Sequence, residues 1–133
     1  MRVVIDTNLL ISSLMGKELD GLLDLVETNN IKLITSYEQI GEIIDVVDRP
    51  GVDKYIKNKD RKKLLLRFLK RKAEIVLIKN KINDCRDKKD NFILEMGIVG
   101  KAKYIVTGDM DLLELNPYRK IKIIKYSRFK EIV

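Results

Sequence analysis

Histidine and tryptophan are absent from this 133-residue chain, and Cys85 is its only cysteine. Without histidine there is no Ser–His or Cys–His nucleophile pair, no imidazole metal ligand and no ordinary general base near neutral pH. One thiol excludes an intrachain disulfide and argues against a thiolate zinc site. No apolar run approaches the roughly 20 residues that span a bilayer. An acid also interrupts the N-terminal apolar stretch too early for a signal-peptide layout. A soluble, cytoplasmic protein with no membrane partner is therefore expected. An enzyme of this composition works with carboxylates, hydroxyls, amides and lysines, and any metal it uses is a hard cation such as Mg²⁺ or Mn²⁺.

What is present is charge. Apolar residues make up 45% and charged residues 35% of the chain, with a net charge of +7. That balance fits one globular domain spanning residues 1–133, long enough to close a core without staples. The basic excess points to an anionic partner, nucleic acid first. Abundant Lys and Glu equally suit a heat-adapted protein.

The segments alternate as in α/β proteins. RVVID reads as a short buried strand. ELDGLLDLVETNN spaces Leu19, Leu22, Leu23 and Val26 as a helix that Asn29-Asn30 ends. KLITS is a second strand, and SYEQIGEIIDVVDRP a helix with Ser36 as N-cap, stopped at Arg49-Pro50-Gly51. VDKYIKNK and DRKKLLLRFLKRKA read as helical, with Asp60 a candidate cap for the second. EIVLI is a third strand, NFILEMGIVG a buried helix, KYIVTGD a fourth strand, KIKIIKY a half-exposed edge strand and SRFKEIV a closing helix. Strands separated by helices imply a mostly parallel sheet of about five strands, covered on both faces, with its site at the carboxyl ends of the strands.

Several acids fall at such positions, and each has a plain alternative. Asp6 reads equally as an N-cap for the turn after RVVI. Glu42 reads as the solvated edge of the Ile40, Ile43, Ile44 stripe, and Glu38 as a first-turn dipole partner. Of Asp87 and Asp90, one is accounted for as a cap. Asp109 and Asp111 read as a turn plus an N-cap. Together they suggest more, because clustered carboxylates repel and a divalent cation removes that penalty. One or two such ions polarise a phosphate oxygen and acidify water without histidine, the chemistry of a phosphodiesterase.

The series DTNLL at the N-terminus, S-x5-E at Ser36–Glu42, RDKKDNFILEMG at 86–97 and YIVTGDMDLL at 104–113 resembles the PIN-domain nucleases, more narrowly their VapC-like toxin branch. The resemblance implies a three-layer α/β/α sandwich with a parallel sheet and a Mg²⁺- or Mn²⁺-dependent ribonuclease site acting on RNA. It implies that Asp6, Glu42, Asp90 and Asp109 are the catalytic metal ligands, with Asp111 often joining them. Thr7, Asn8, Ser36, Asn91 and Thr107 match polar positions around the acids, and Asp87 reads as a supporting or capping residue. It implies, too, an antitoxin protein partner and a homodimer. Lys88 stands where many relatives have proline, and Gly97 where alanine is usual.

The run KNKDRKKLLLRFLKRK, residues 57–72, concentrates positive charge. Lys59, Arg61, Lys62, Lys63, Arg67 and Lys70 are candidate RNA contacts that would hold phosphates without reading sequence. The alternative is a solvated face over Leu65, Phe68 and Leu69. Cys85 reads as a small residue near the site, not a nucleophile. Two other functions fit the same acids less well. One is a non-cleaving PIN scaffold that binds RNA or protein, and the other a PIN nuclease of RNA processing or quality control. A phosphotransfer domain needs a DxD-like first motif, which Asp6-Thr7-Asn8 does not offer.

Overall fold

The computed structural model describes residues 1–16, 18–56 and 58–133. Five strands form one all-parallel sheet: β1 (Arg2–Ile5), β2 (Lys32–Thr35), β3 (Glu74–Ile75), β4 (Tyr104–Val106) and β5 (Lys122–Ile124), in the order β3-β2-β1-β4-β5. The helices among the described residues are α1 (Thr7–Met15), α2 (Glu18–Thr28), α3 (Tyr37–Val47), α4 (Pro50–Asp53), α5 (Asp60–Lys72), α6 (Asn91–Val99), α7 (Met110–Leu113) and α8 (Tyr126–Ile132). A 3-10 turn, Lys88–Asp90, leads into α6. None of these helices is long and apolar enough to cross a membrane.

Period-2 alternation sorts the strands into two cores. Val3, Ile5, Leu33, Tyr104 and Val106 face a layer built from α1, α2, α3, α5 and α8. Val4, Ile34, Ile105 and Ile123 face the opposite way, onto α6, α7 and Tyr118–Ile121. This is the α/β/α sandwich expected from the sequence, and the expected mostly parallel sheet is parallel throughout.

Four local features add to the sequence reading or depart from it. Residues 7–15, which carry little helical signal in sequence, form α1, burying Thr7, Leu10, Ile11 and Leu14. The helix α3 stops at Val47, just before Arg49-Pro50-Gly51 as expected, and Pro50 also starts α4 at a position where its missing N–H costs nothing. Of the expected helix VDKYIKNK only Val52-Asp53 is helical, and Lys57 lies outside the described residues. Asp60 is the first residue of α5 and not its side-chain cap.

EIVLI supplies only two strand residues. After the Val76 N–H donates to Thr35 O at 2.9 Å, β2 turns away into α3, and among the described residues the ladder goes no further. Glu95, buried in α6, then takes the backbone N–H groups of Lys79 and Lys81, bending the chain back over that helix. Gly100, which ends α6, is required by close approach: a Cβ there would stand 2.6 Å from Ile34 Cγ2 and 2.8 Å from Met96 O.

Candidate active site

The parallel register of β1 and β4, Ile5 opposite Val106, puts the residues just beyond each strand side by side. Asp6 comes first. Its N–H donates to Val106 O at 2.9 Å, so its backbone still belongs to the ladder. Although Asp6 precedes α1, its side chain makes no capping hydrogen bond. Asp6 Oδ2 accepts instead from Thr107 Oγ1 at 2.6 Å. The carboxylate is only 4% exposed. Burial raises its pKa above the ordinary 3.8, against the pull of the Thr107 hydroxyl and with help from the Asp109 charge.

Asp109 lies three residues beyond β4. Its N–H donates to the same Thr107 Oγ1 at 3.0 Å. Its Oδ1 accepts from Asp111 N–H at 2.8 Å, capping α7. The capping role read from sequence therefore holds for Asp109, while its second oxygen is not used in the cap.

Asp87 and Asp90 divide their roles. Asp87 caps the 3-10 turn through the Lys89 N–H at 3.1 Å. Asp90 makes no side-chain cap. It is 9% exposed, and its Oδ2 is buried without a hydrogen-bond partner. Burial, reinforced by Asp109, Asp6 and Asp87, pushes the Asp90 carboxyl up to about 7. Glu42 reaches the same place from the second turn of α3. Burial and the Asp6 charge raise it, and Lys89 and Arg49 partly offset that rise.

These acids share one cleft of about 550 Å³ at the carboxyl edge of the sheet, lined by Asp6, Glu42, Asp87, Asp90 and Asp109. A second hollow of about 330 Å³ shares Asp6 and Asp109, and Asn8 lies in both. Asp111 turns aside, its Oδ1 3.7 Å from Arg86 Nε. Among the described residues no three His, Cys, Asp or Glu side chains already stand as a ligand cage for a metal.

The donor set nonetheless suits a hard cation. Its donors are all carboxylate oxygens, which Mg²⁺ and Mn²⁺ prefer. One of them, Asp90 Oδ2, is a buried acceptor with nothing to accept from, an arrangement that costs free energy unless a cation or proton is supplied.

The polar positions around the acids behave differently from one another. Thr107 braces both Asp6 and Asp109. Thr7 is buried, 3.4 Å from Gln39 Nε2. Ser36 caps α3 by accepting the Gln39 N–H at 3.1 Å and lies against Met96 Sδ, so it braces the helix and not an acid. Asn91 accepts the Cys85 N–H at 2.8 Å, fixing the chain before the 3-10 turn. The Cys85 thiol is buried and raised by that burial, the opposite of a reactive thiolate.

Gln39 has no part in the sequence-based site and is central to the folded one. Its Nε2 donates to Ile5 O at 2.8 Å, and its Oε1 accepts from Thr35 Oγ1 at 2.7 Å. It thereby joins the ends of β1 and β2 to the start of α3, fixing Asp6 relative to Glu42. The pattern S-x-x-Q at 36–39 signals a capping box, but the glutamine amide is spent on the neighbouring strands.

Of the basic run, Lys59 pairs with Asp53 at 2.8 Å, Lys62 with Asp53 and with Asp48 at 3.5 Å, and Arg61 with Asp20 at 2.9 Å. Lys63, Arg67 and Lys70 take part in no ion pair among the described residues and stand exposed on α5. The family model described as PIN domain matches residues 2–111, a span that contains all of these acids. Among curated proteins none matches the chain significantly.

Proposed function

The chain belongs to the PIN-domain family, whose fold is that of nucleases, and from that premise we propose that it is a Mg²⁺- or Mn²⁺-dependent endoribonuclease. The observation that carries this reading is Asp90 Oδ2, buried and unpartnered in the cleft that Asp6, Glu42 and Asp109 also line. Those four carboxylates would hold the ion, with Asp111 joining if it leaves Arg86. When bound, the ion supplies Lewis acidity toward a phosphate oxygen and toward water. The protein's own part is orientation. Thr107 fixes Asp6, the α7 cap fixes Asp109, and Gln39 sets the distance from β1 to α3.

The finer proposal is that the enzyme is the toxin of a toxin–antitoxin pair, silenced by an antitoxin and working as a homodimer. It rests on the ordered resemblance of the acid motifs.

The test is cleavage of a panel of structured RNAs by the purified chain with Mg²⁺, Mn²⁺ or EDTA. Cleavage with either metal, lost in EDTA and lost in Asp6→Asn and Asp90→Asn, is expected. RNA binding that survives EDTA, with no cleavage under any metal, would instead identify a non-cleaving scaffold. Full cleavage by either variant would remove that residue from the ligand set.

A further inference from the structure

The acid cleft has a cationic wall. Arg49 and Lys89 line it beside the carboxylates, and both charges act on Glu42. Arg49 reaches the cleft by helical spacing, since Glu42, Val46 and Arg49 follow one another at i, i+4 and i+7. Asp48 keeps helical geometry after α3 ends, so the stripe is not broken before Arg49. The Arg49 side chain is 61% exposed, and its one ion pair among the described residues is to Asp45, similarly exposed, at 2.6 Å. Pairs of that kind contribute little and yield to a better anion. Lys89 is exposed, its backbone is anchored by Asp87, and it takes part in no ion pair among the described residues.

Such a wall has a purpose on the ribonuclease reading, on which this inference rests. Each phosphate of a strand entering a cleft of four carboxylates is repelled, and an ion at the acids offsets that only locally. Cations along the strand path must do the rest. The basic helix α5 is the obvious candidate by sequence, yet none of its cations lines the acid cleft.

We propose that Arg49 and Lys89 grip the RNA backbone across the cleft, Lys89 at the phosphate facing the acids and Arg49 at a neighbouring one. Arg49 and Lys89 reach the cleft from different elements, the end of α3 and the 3-10 turn, so each meets the strand at its own point. The strand then runs from the 3-10 turn toward the carboxyl end of α3, and not along α5. Both are positioning residues that read no sequence.

The experiment uses Asp6→Asn protein, expected to bind without cutting, and a fluorescein-labelled mixed-sequence single-stranded RNA 12-mer titrated over a range of salt. Adding Arg49→Ala and Lys89→Ala is expected to weaken binding and reduce the slope of log K against log salt by about 1.4, two contacts at about 0.7 each. Arg49→Lys with Lys89→Arg is expected to restore most of that slope. Lys63→Ala, Arg67→Ala and Lys70→Ala together are expected to change it less. An unchanged slope in the Arg49/Lys89 variant, while the wild-type chain still cleaves RNA, would overturn the grip alone. Absence of both cleavage and RNA binding in every form would overturn the ribonuclease reading and the grip with it.

Discussion

Thr107 Oγ1 donates to Asp6 Oδ2 at 2.6 Å across 101 residues of sequence, and the same oxygen accepts the Asp109 N–H at 3.0 Å. One hydroxyl thus sets the orientation of one acid and the backbone of another. Thr107→Val keeps the shape and removes both bonds. Buried polar groups left unpaired in this way cost about 1–3 kcal/mol, read by urea denaturation. Loss of an outer hydrogen bond to a metal ligand costs roughly 10–100-fold in metal affinity, so calorimetric Mn²⁺ titration should weaken by that factor. Thr107→Ser should recover most of both. Unchanged Mn²⁺ affinity in Thr107→Val would show that Asp6 holds no ion through this geometry.

Asp90→Asn should separate stability from activity. The Asp90 carboxylate is opposed by burial and by three neighbouring acids. Removing its charge should make the metal-free protein more stable at pH 7.5 while cleavage with Mn²⁺ disappears. Chemical denaturation in EDTA measures the first and RNA cleavage the second. A variant less stable than wild type in EDTA would mean that the acids are not in electrostatic conflict.

The same conflict fixes a sign for pH dependence. Asp90 has an ordinary value of 3.8 and a folded value of about 7, so between those values the folded state binds more protons than the unfolded one. Stability of the metal-free protein should therefore fall as pH rises from about 4 to about 7. Asp6 and Glu42, also raised, add to the decline. Carboxylates held low, such as Glu74 and Glu95, exert their opposite effect at lower pH. Urea midpoints in EDTA across this window should show the decline, flattened in Asp90→Asn and reversed in part by Mn²⁺. A rise in stability over the same window would contradict the cluster.

Gly97 and Gly100 should respond differently to alanine. At Gly97 a Cβ comes nearest the tips of Ile105 and Ile121, at 3.0 and 3.1 Å, with Ile105 Cγ1 at an ordinary 3.4 Å. Those tips can shift, and alanine adds up to about 1 kcal/mol of helix propensity, so Gly97→Ala should change stability by no more than about 1 kcal/mol. At Gly100 the Cβ meets a backbone oxygen and the rigid branch of Ile34, and Gly100→Ala should lose about 1–3 kcal/mol. Thermal melts of the two variants decide the ordering.

Local pattern, by itself, determined that RVVID, KLITS, KYIVTGD and KIKIIKY hold strands, the last two longer than β4 and β5 prove to be, together with the helices α2, α3, α5, α6 and α8 and the parallel sheet they imply. Alternation and helical spacing are read within a few residues, and these elements obey such spacing closely. The motif order also brought the chain to the PIN-domain family, which the match over residues 2–111 bears out. Local pattern falls short where a distant partner decides. Residues 7–15 become α1 because they pack against α2, α3 and the sheet. EIVLI is cut short because β2 ends and Glu95 draws the next loop onto α6.

The acids show the same division. Sequence placed Asp6, Asp90 and Asp109 at element ends and Glu42 on a helix face, but left each open to a plainer role. Tertiary structure gave the cap near the third acid to Asp87, kept a cap for Asp109, and left Asp6 and Asp90 with none. It also supplied Gln39, whose partners Ile5 and Thr35 lie on neighbouring strands, and brought Lys89 into the cleft from the 3-10 turn, whereas Arg49 follows Glu42 at a spacing already present in α3. A cap is a contact within three residues and can be read from a sequence. A buried carboxylate without a partner, and the cations that face it, exist only once the strands have set their register.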